Sequence, residues 1–168
     1  TVTATDNAGN SASDSYTWYT DLTDPTVSLS DTPSDPSSDT SVSITVTSAD
    51  DYSMGSTSCT MDGDTVDCDG SATMSEGYHT FIATATDAAG NSATASHSWY
   101  SDLTAPTVSI DSAPADPSND AAPAFSVSSS DDYNMGGTTC DLDGAAFDCA
   151  GGAVSEGAHT FTATATDA

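Results

Sequence analysis

The chain has 168 residues, 26 aspartate and glutamate side chains and no lysine or arginine, so its formal net charge at pH 7 is -26. A surface without cations to place against phosphate excludes nucleic acid and anionic membrane surfaces as direct partners. The length allows one or two domains. The sequence has no apolar run long enough to span a membrane, so we expect no direct membrane insertion. The charge predicts a chain that attracts divalent cations or tolerates high salt.

The strongest pattern in the sequence is an internal repeat. YTDLTDPTVSL at 19–29 matches YSDLTAPTVSI at 100–110, and the two prolines are separated by 106 − 25 = 81 positions. We expect three parts: residues 1–20 as the last strands of a preceding repeat, residues 21–101 as a complete repeat, and residues 102–168 as a repeat lacking its last strand. Near-identical modules in tandem are typical of stalks or arrays.

The chain begins within a strand-like segment, TVTATD, with no starting methionine or signal peptide. We therefore expect a mature piece or a window on a longer covalent array. The alternative is that the first strands of one molecule complete the last repeat of another by strand addition. Both alternatives predict self-association or continuation in a head-to-tail direction.

Short alternating segments separated by Asp, Gly and Pro predict an all-β sandwich. In the complete repeat we expect strands near 26–29, 42–47, 57–62, 65–68, 72–74, 79–86 and 92–100. Period two puts Phe81, Ala83 and Ala85 on one face. We expect Trp18 and Trp99 to fill the core.

The repeat carries a ten-residue cysteine frame, CTMDGDTVDC at 59–68 and CDLDGAAFDC at 140–149. A two-residue turn at Gly63-Asp64, or at Gly144-Ala145, predicts that the two cysteines of each frame face each other directly. A turn at Asp62-Gly63 is the alternative, and we expect it to offset the cysteines and prevent the disulfide.

These cysteines favour structural disulfides over a metal or redox site. The spacing is not C-x-x-C, and no histidine lies at ligand spacing. We expect the bonds Cys59–Cys68 and Cys140–Cys149, each worth at most about 2.5–3 kcal/mol in the chain-entropy model. They imply an oxidising compartment, so we expect a secreted protein, extracellular or at a cell surface.

The motif C-x-[LM]-D-G-x4-C, followed by E-G-x-H-T-F-x-A-x-A-T-D and then by Trp and D-x-x-x-P, resembles bacterial immunoglobulin-like repeats of large surface proteins and adhesins. The resemblance implies tandem immunoglobulin-like or fibronectin-III-like β-sandwich repeats, strung into stalks that are often stiffened by calcium. This chain departs from the family at Thr84 and Thr164, where a basic residue is common.

Aspartates concentrate in the loops that such a sandwich gathers at each junction between repeats. Calcium takes six to eight oxygen ligands, which converging loops can supply. The candidate metal ligands are Asp21, Asp24, Asp50, Asp51, Asp87, Asp102, Asp131, Asp132 and Asp167, and Glu76 belongs to the same converging loops. For a single aspartate the alternative is a turn or a solvated loop, since DAAGN and Asp-Pro are turn sequences.

The composition and motifs favour a structural protein, an extracellular stalk or filament of tandem repeats. The alternative is an adhesin or binding module that grips glycans or another cell surface, for which exposed Tyr19, Tyr52, Tyr100 and Tyr133 are the aromatic candidates. His79 and His159 are expected to pack at the core edge rather than bind metal. No catalytic motif is present, so we expect no enzyme activity.

Overall fold

Every regular element of the protein is a β-strand in the computed structural model, which describes residues 1–168. The strands of the first half are β1 (Val2–Thr5), β2 (Ser11–Asp14), β3 (Thr26–Ser30), β4 (Ser41–Ser43), β5 (Thr45–Ala49), β6 (Met54–Met61), β7 (Asp64–Val66) and β8 (Ser71–Thr73). The strands of the second half are β9 (Gly77–Asp87), β10 (Ser92–Ser101), β11 (Thr107–Ser112), β12 (Ser126–Ser130), β13 (Met135–Leu142), β14 (Ala145–Phe147) and β15 (Phe161–Asp167).

The strands form several antiparallel sheets, which confirms the all-β prediction and is consistent with a β-sandwich fold. One sheet has the order β10-β9-β6-β7, and its counterpart in the next repeat has the order β14-β13-β15. Two-stranded sheets are formed by β1-β2, β3-β5, β4-β8 and β11-β12. No helix in the structure has the length and hydrophobicity needed to cross a bilayer.

The chain forms two compact units. One unit comprises Thr1–Thr32, Ser43–Ser71 and Thr80–His97, and the other comprises Pro33–Val42, Ala72–His79 and Ser98–Ala168. These units cross the boundaries of the sequence repeats, so the division into residues 1–20, 21–101 and 102–168 stays a prediction.

The alternating sequence of strand β9 explains why this segment folds as a strand with one buried face. Its side chains alternate between buried and more exposed positions, and Phe81, Ala83 and Ala85 are fully buried, as period two predicts. In the first unit these side chains share the core with Ile44, Cys59 and Met61. Much of this core is small side chains, so little apolar area stabilises the unit.

The predicted strand at 42–47 is two strands in the structure. β4 pairs with β8 and β5 pairs with β3, and the fully buried Ile44 separates them. The Ile44 amide donates to the Gly70 carbonyl at 3.4 Å. A Cβ atom on Gly70 would lie within 2.7 Å of the Ile44 backbone and Cβ, so only glycine permits this approach.

Each cysteine frame forms the disulfide that its spacing predicts, Cys59–Cys68 and Cys140–Cys149, with Cα atoms 5.2 Å apart in both. The predicted turn, however, is wrong. Met61 pairs with Asp64 and Cys59 pairs with Val66, so the turn is Asp62-Gly63. The second frame repeats this register, with Leu142 opposite Ala145.

The turn residues explain the register. Asp62 and Gly63 both have positive φ, 54° and 91°, as a type I′ hairpin turn requires. The Asp62 amide donates to the Thr80 carbonyl at 2.9 Å, and the Asp62 carboxylate accepts from the Thr80 amide at 2.8 Å. Strand β7 ends at Val66, and the chain then turns so that Cys68 reaches Cys59. The disulfide therefore forms beyond the last backbone pair of the β6-β7 hairpin.

The expectation that both tryptophans fill a core is wrong for Trp18. Trp99 on β10 is 1% exposed, whereas Trp18 is 71% exposed. The reason is local: residues 1–20 form only the β1-β2 hairpin, and all of these residues are exposed.

We predict that replacing Cys59 and Cys68 by serine lowers the free energy of unfolding by up to about 2.5–3 kcal/mol, because the open chain gains loop entropy when it unfolds. Replacing Cys140 and Cys149 should have a similar effect, since the loop has the same length. Urea unfolding of both variants measures this. An unchanged stability in both would contradict a structural role for the bonds.

Candidate cation sites

The structure brings six of the nine candidate aspartates into two equivalent clusters. The first cluster contains Asp21, Asp50 and Asp87, and the second cluster contains Asp102, Asp131 and Asp167. In each, one carboxylate oxygen from every residue lies within 4.8 Å of the others. Corresponding members are separated by 81, 81 and 80 positions (102 − 21, 131 − 50 and 167 − 87), so the repeat places the same three carboxylates together twice.

In the first cluster, each aspartate belongs to a different part of the repeat. Asp21 follows residues 1–20, Asp50 follows β5, and Asp87 ends β9. Asp87 accepts hydrogen bonds from the Gly90 amide at 2.6 Å and the Asn91 amide at 2.8 Å. Asn91 also donates its side-chain amide to the Asp21 carbonyl at 3.4 Å, which ties this turn to the residue that begins the complete repeat.

Asp50 and its equivalent Asp131 cap the loop that follows them. One carboxylate oxygen of Asp50 accepts from the Tyr52 and Ser53 amides at 3.0 and 2.9 Å. One oxygen of Asp131 accepts from the Tyr133 and Asn134 amides, both at 3.1 Å. The local capping fixes one oxygen in the turn and leaves the other oxygen for the cluster.

Four carboxylate oxygens in the clusters are buried without a hydrogen-bond partner. They are Asp21 Oδ2 and Asp50 Oδ1 in the first cluster, and Asp102 Oδ1 and Asp131 Oδ1 in the second. Asp102 is only 5% exposed as a whole residue. Buried polar atoms in proteins are nearly always paired, so these four oxygens at equivalent positions are the ones available to a bound water molecule or cation.

The electrostatics of the second cluster show the lack of compensating charge. Burial, followed by the neighbouring Asp131 carboxylate, raises the pKa of Asp102 above its ordinary value. Burial and the charges of Asp131 and Asp102 raise the pKa of Asp167 in the same way. Both shifts mean that the negative form is disfavoured by its surroundings.

Asp87 in the first cluster behaves differently. Burial acts to raise the pKa of this carboxyl, but the hydrogen bonds from Asn91 and Gly90 outweigh it and hold the pKa below its ordinary value. Asp87 therefore stays negative although it is 4% exposed. It is a preorganised anionic ligand position.

A third set of carboxylates adjoins the second cluster. Glu76, Asp102 and Asp132 also place carboxylate oxygens within 4.8 Å of one another, so Asp102 belongs to both sets. Glu76 accepts from the Leu103 amide at 2.8 Å and the Thr104 hydroxyl at 3.2 Å. Among the candidates, Asp24 and Asp51 lie in neither cluster nor in this third set, and both are exposed.

A stacked pair of tyrosines lies close in sequence to the aspartates of each cluster. Tyr19 stacks on Tyr52 with ring centroids 4.0 Å apart, and Tyr100 stacks on Tyr133 with centroids 3.6 Å apart. The pairs are related by the same shift of 81 positions (100 − 19 and 133 − 52). The sequence presents these rings as separate aromatic candidates for a binding surface, whereas in the structure one face of each ring packs on its partner.

The second pair carries an additional ring. Tyr78 lies edge-on to Tyr100 and Tyr133, and its hydroxyl is 3.4 Å from the Tyr133 hydroxyl. This hydrogen bond, burial and nearby negative charge raise the pKa of Tyr133 to about 12. Tyr133 is therefore a neutral packing group at physiological pH.

Backbone hydrogen bonds hold the segment that carries Asp102. The Asp35 carboxylate accepts from the Tyr100 amide at 2.9 Å. The Ser37 amide donates to the Tyr100 carbonyl, and the Asp102 amide donates to the Ser37 carbonyl, both at 2.9 Å. These hydrogen bonds hold Asp102 in place within its segment.

The donor set fits a hard divalent cation. All ligand atoms are carboxylate oxygens, the chemistry that calcium and magnesium prefer, and no thiolate or imidazole belongs to either cluster. Three carboxylates leave room for the carbonyl and water oxygens that complete a calcium shell of six to eight. Calcium accepts a variable number of oxygen ligands, whereas magnesium demands near-octahedral geometry.

Neither a comparison with protein-family models nor a comparison with curated proteins finds a match to this chain.

We predict that Asp102→Asn raises the melting temperature by a few degrees when a chelator removes divalent cations. The substitution keeps the side-chain volume and removes a buried charge that faces other carboxylates. Thermal unfolding followed by circular dichroism measures the change. The control, Asp24→Asn, lies on an exposed residue outside the clusters and should leave the melting temperature unchanged. A lower melting temperature for Asp102→Asn in chelator would contradict a destabilising repulsion between Asp102 and the neighbouring carboxylates.

Proposed function

We propose that the protein is a structural component of an extracellular stalk or filament of tandem immunoglobulin-like repeats, with disulfides within the repeats and calcium at the junctions. The observation that carries this proposal is the recurrence of one carboxylate cluster at equivalent positions of consecutive repeats. A catalytic or ligand-specific site is not expected in every repeat, whereas the joint between neighbouring repeats occurs once per repeat along an array.

The position of each cluster supports a role in stiffening the joint between consecutive repeats. Asp21 and Asp102 precede the first strand of a repeat, and the other members lie in its loops or at the end of a strand. A cation bound by all three would fix the entering segment against these loops. Because calcium binding would add oxygen ligands to the unpartnered oxygens, the orientation of the segment would become rigid.

The disulfides support an extracellular location. All four cysteines are paired, and bonds of this kind persist in oxidising compartments. Calcium sites built from few fixed ligands bind in the 10⁻⁴–10⁻³ M range typical of extracellular modules, as an order-of-magnitude estimate. The same compartment therefore supplies the oxidant and the cation.

The adhesin alternative receives less support. A glycan platform needs free aromatic faces, and Tyr19, Tyr52, Tyr100 and Tyr133 are stacked in pairs. Tyr78, which is also largely exposed, adds its edge to one of these pairs.

We predict that calcium raises the melting temperature of the protein more than sodium does at equal ionic strength. A ligand that binds only the folded state stabilises it by about 2.7 kcal/mol at one hundred times its dissociation constant. Asp102→Asn should reduce the calcium effect although it stabilises the cation-free protein, and Asp24→Asn should retain the full effect.

Calorimetry with calcium, magnesium and sodium provides the measurement. Equal effects of calcium and sodium would mean that the ions only screen the net charge, and the junction sites would then be refuted.

A further inference from the structure

The histidines are the only side chains of the protein that can carry a positive charge, because the chain has three of them and no lysine or arginine. His159 lies just before β15, and both nitrogens of its ring face oxygen atoms. The Nδ1 atom lies 2.7 Å from the Asp143 carboxylate, and the Nε2 atom lies 2.9 Å from the Ser155 carbonyl. Both separations are hydrogen-bond distances. The ring therefore has two hydrogen-bond partners at the same time.

Both partners are acceptors, and this decides the protonation state of the ring. An ionised carboxylate and a backbone carbonyl have no hydrogen to donate. A neutral imidazole has one N–H and one bare nitrogen, so one of the two contacts would then place a nitrogen lone pair against an oxygen lone pair. Only the imidazolium donates in both contacts. The geometry therefore selects the protonated, positively charged form of His159.

The electrostatics of the pair agree with this geometry. The hydrogen bond to the Asp143 carboxylate, followed by the one to the Ser155 carbonyl, raises the pKa of His159 above its ordinary value of 6.5. The hydrogen bond from His159, followed by one from the Thr160 amide, lowers the pKa of Asp143. The His159 and Asp143 side chains are 23% and 48% exposed, so solvent screens part of their attraction.

Asp143 connects the turn of the second cysteine hairpin to the start of β15. Its amide donates to the Thr160 carbonyl at 2.9 Å, and its Oδ1 atom accepts from the Thr160 amide at 2.8 Å. Its other oxygen, Oδ2, accepts from His159. The ring extends the connection to the Ser155 carbonyl. One charged residue thus ties the hairpin turn to the loop that precedes β15.

The arrangement belongs to the repeat, because its parts recur 80 or 81 positions earlier. The corresponding residues are Asp62 and Asp143, Ser75 and Ser155, His79 and His159, and Thr80 and Thr160 (143 − 62, 155 − 75, 159 − 79 and 160 − 80). The His79 Nε2 atom lies 3.0 Å from the Ser75 carbonyl, as in the later copy. Asp62 accepts from the Thr80 amide at 2.8 Å, as Asp143 does from the Thr160 amide.

Three further acidic residues lie on the segments around His159. Asp120 borders the same pocket as His159. Glu156 is exposed in the loop before β15, and Asp141 lies on β13, which pairs with β15. Among ionisable groups, only Asp143 shifts the pKa of His159. The charge of His159 is therefore controlled by one carboxylate.

We propose that His159 is a pH-sensitive clamp, whose protonated ring fastens the turn of the second cysteine hairpin to the loop before β15. When the ring loses its proton, it keeps one N–H and gives up one of its two contacts, so the clamp opens on one side. The inference goes beyond the proposed function, because none of the clamp residues belongs to a carboxylate cluster. The clamp gives the repeat a constraint that responds to pH and not to calcium.

The direction of the pH dependence follows from the two pKa shifts. His159 has a raised pKa in the folded chain, so its contribution to stability is fully present below its ordinary pKa and is lost as the pH rises through the raised one. Asp143 has a lowered pKa, so its contribution is present above its ordinary value of 3.8 and is lost as the pH falls through the lowered one. The clamp therefore stabilises most between pH 3.8 and 6.5 and opens at alkaline pH.

The first experiment follows the histidine ring nitrogens of the full chain by nitrogen NMR during a pH titration in chelator, and His159→Gln assigns the signals. We expect the imidazolium form of His159 to predominate at pH 6.5, where an ordinary histidine is half neutral. Asp143→Asn should lower the titration midpoint of His159. This variant keeps an oxygen for the Thr160 amide and offers an N–H to the neutral ring, so the hairpin keeps its contacts.

Asp64→Asn is the matched control, because it removes the same charge from an exposed residue of the other cysteine hairpin. It should leave the His159 midpoint unchanged. A midpoint that Asp143→Asn does not lower, or that Asp64→Asn lowers equally, would overturn the clamp, because the net charge of the chain would then account for the protonation.

The second experiment measures urea unfolding of the wild type and of His159→Gln at about pH 6 and about pH 9, on either side of the range in which histidine changes charge. We expect His159→Gln to lower the urea midpoint more at the acidic pH, since the charged contact exists only there. In an Asp143→Asn background this difference between the two pH values should disappear. An equal loss at both pH values would assign His159 a packing role and refute the clamp.

Discussion

The structure depends on how a chain without lysine or arginine holds carboxylates close together. Folding brings Asp102, Asp131 and Asp167 within 4.8 Å of one another, and Asp102 is almost completely buried. No cationic side chain other than three histidines exists in the chain to compensate them. Buried like charges are unfavourable unless a cation or a proton neutralises them. The fold therefore places these carboxylates where a bound cation or a proton would relieve their repulsion, and the hydrogen bonds around the aspartates hold the oxygens in place.

The rest of the repeat supplies the rigidity that such a site needs. The core of the first unit contains Phe81 and Ile44 but also small alanines, so apolar burial alone gives modest stability. The disulfide fastens the β6-β7 hairpin, and the Asp62-Gly63 turn is tied by hydrogen bonds to Thr80. Tyr100 and Tyr133 pack face to face near the second cluster. Local covalent and polar constraints thus take over part of the role that a large core has in bigger domains.

Sequence patterns predict the all-β class, the approximate positions of most strands, the disulfide pairs and the six clustered aspartates, because period-two alternation and the 81-residue repeat report directly on local structure. They could not predict the hairpin register. Gly63 suits either turn, and the choice depends on the contacts of Asp62 with the distant Thr80. They also could not separate Asp51 from Asp132, which are equivalent in sequence, because only Asp132 lies within reach of Glu76. Trp18 looked like a core residue because sequence alone does not show whether a partner sheet lies beneath it.

We propose that the clustered carboxylates are specific cation sites and not a diffuse acidic surface. Isothermal titration of the chain with calcium in high sodium chloride tests it most directly, because sodium screens nonspecific attraction while a coordinated ion is retained. The account predicts saturable binding of at least two calcium ions per chain, one for each cluster, and loss of one of them in Asp131→Asn. Heats that vanish in sodium chloride, or binding that never saturates, would contradict it.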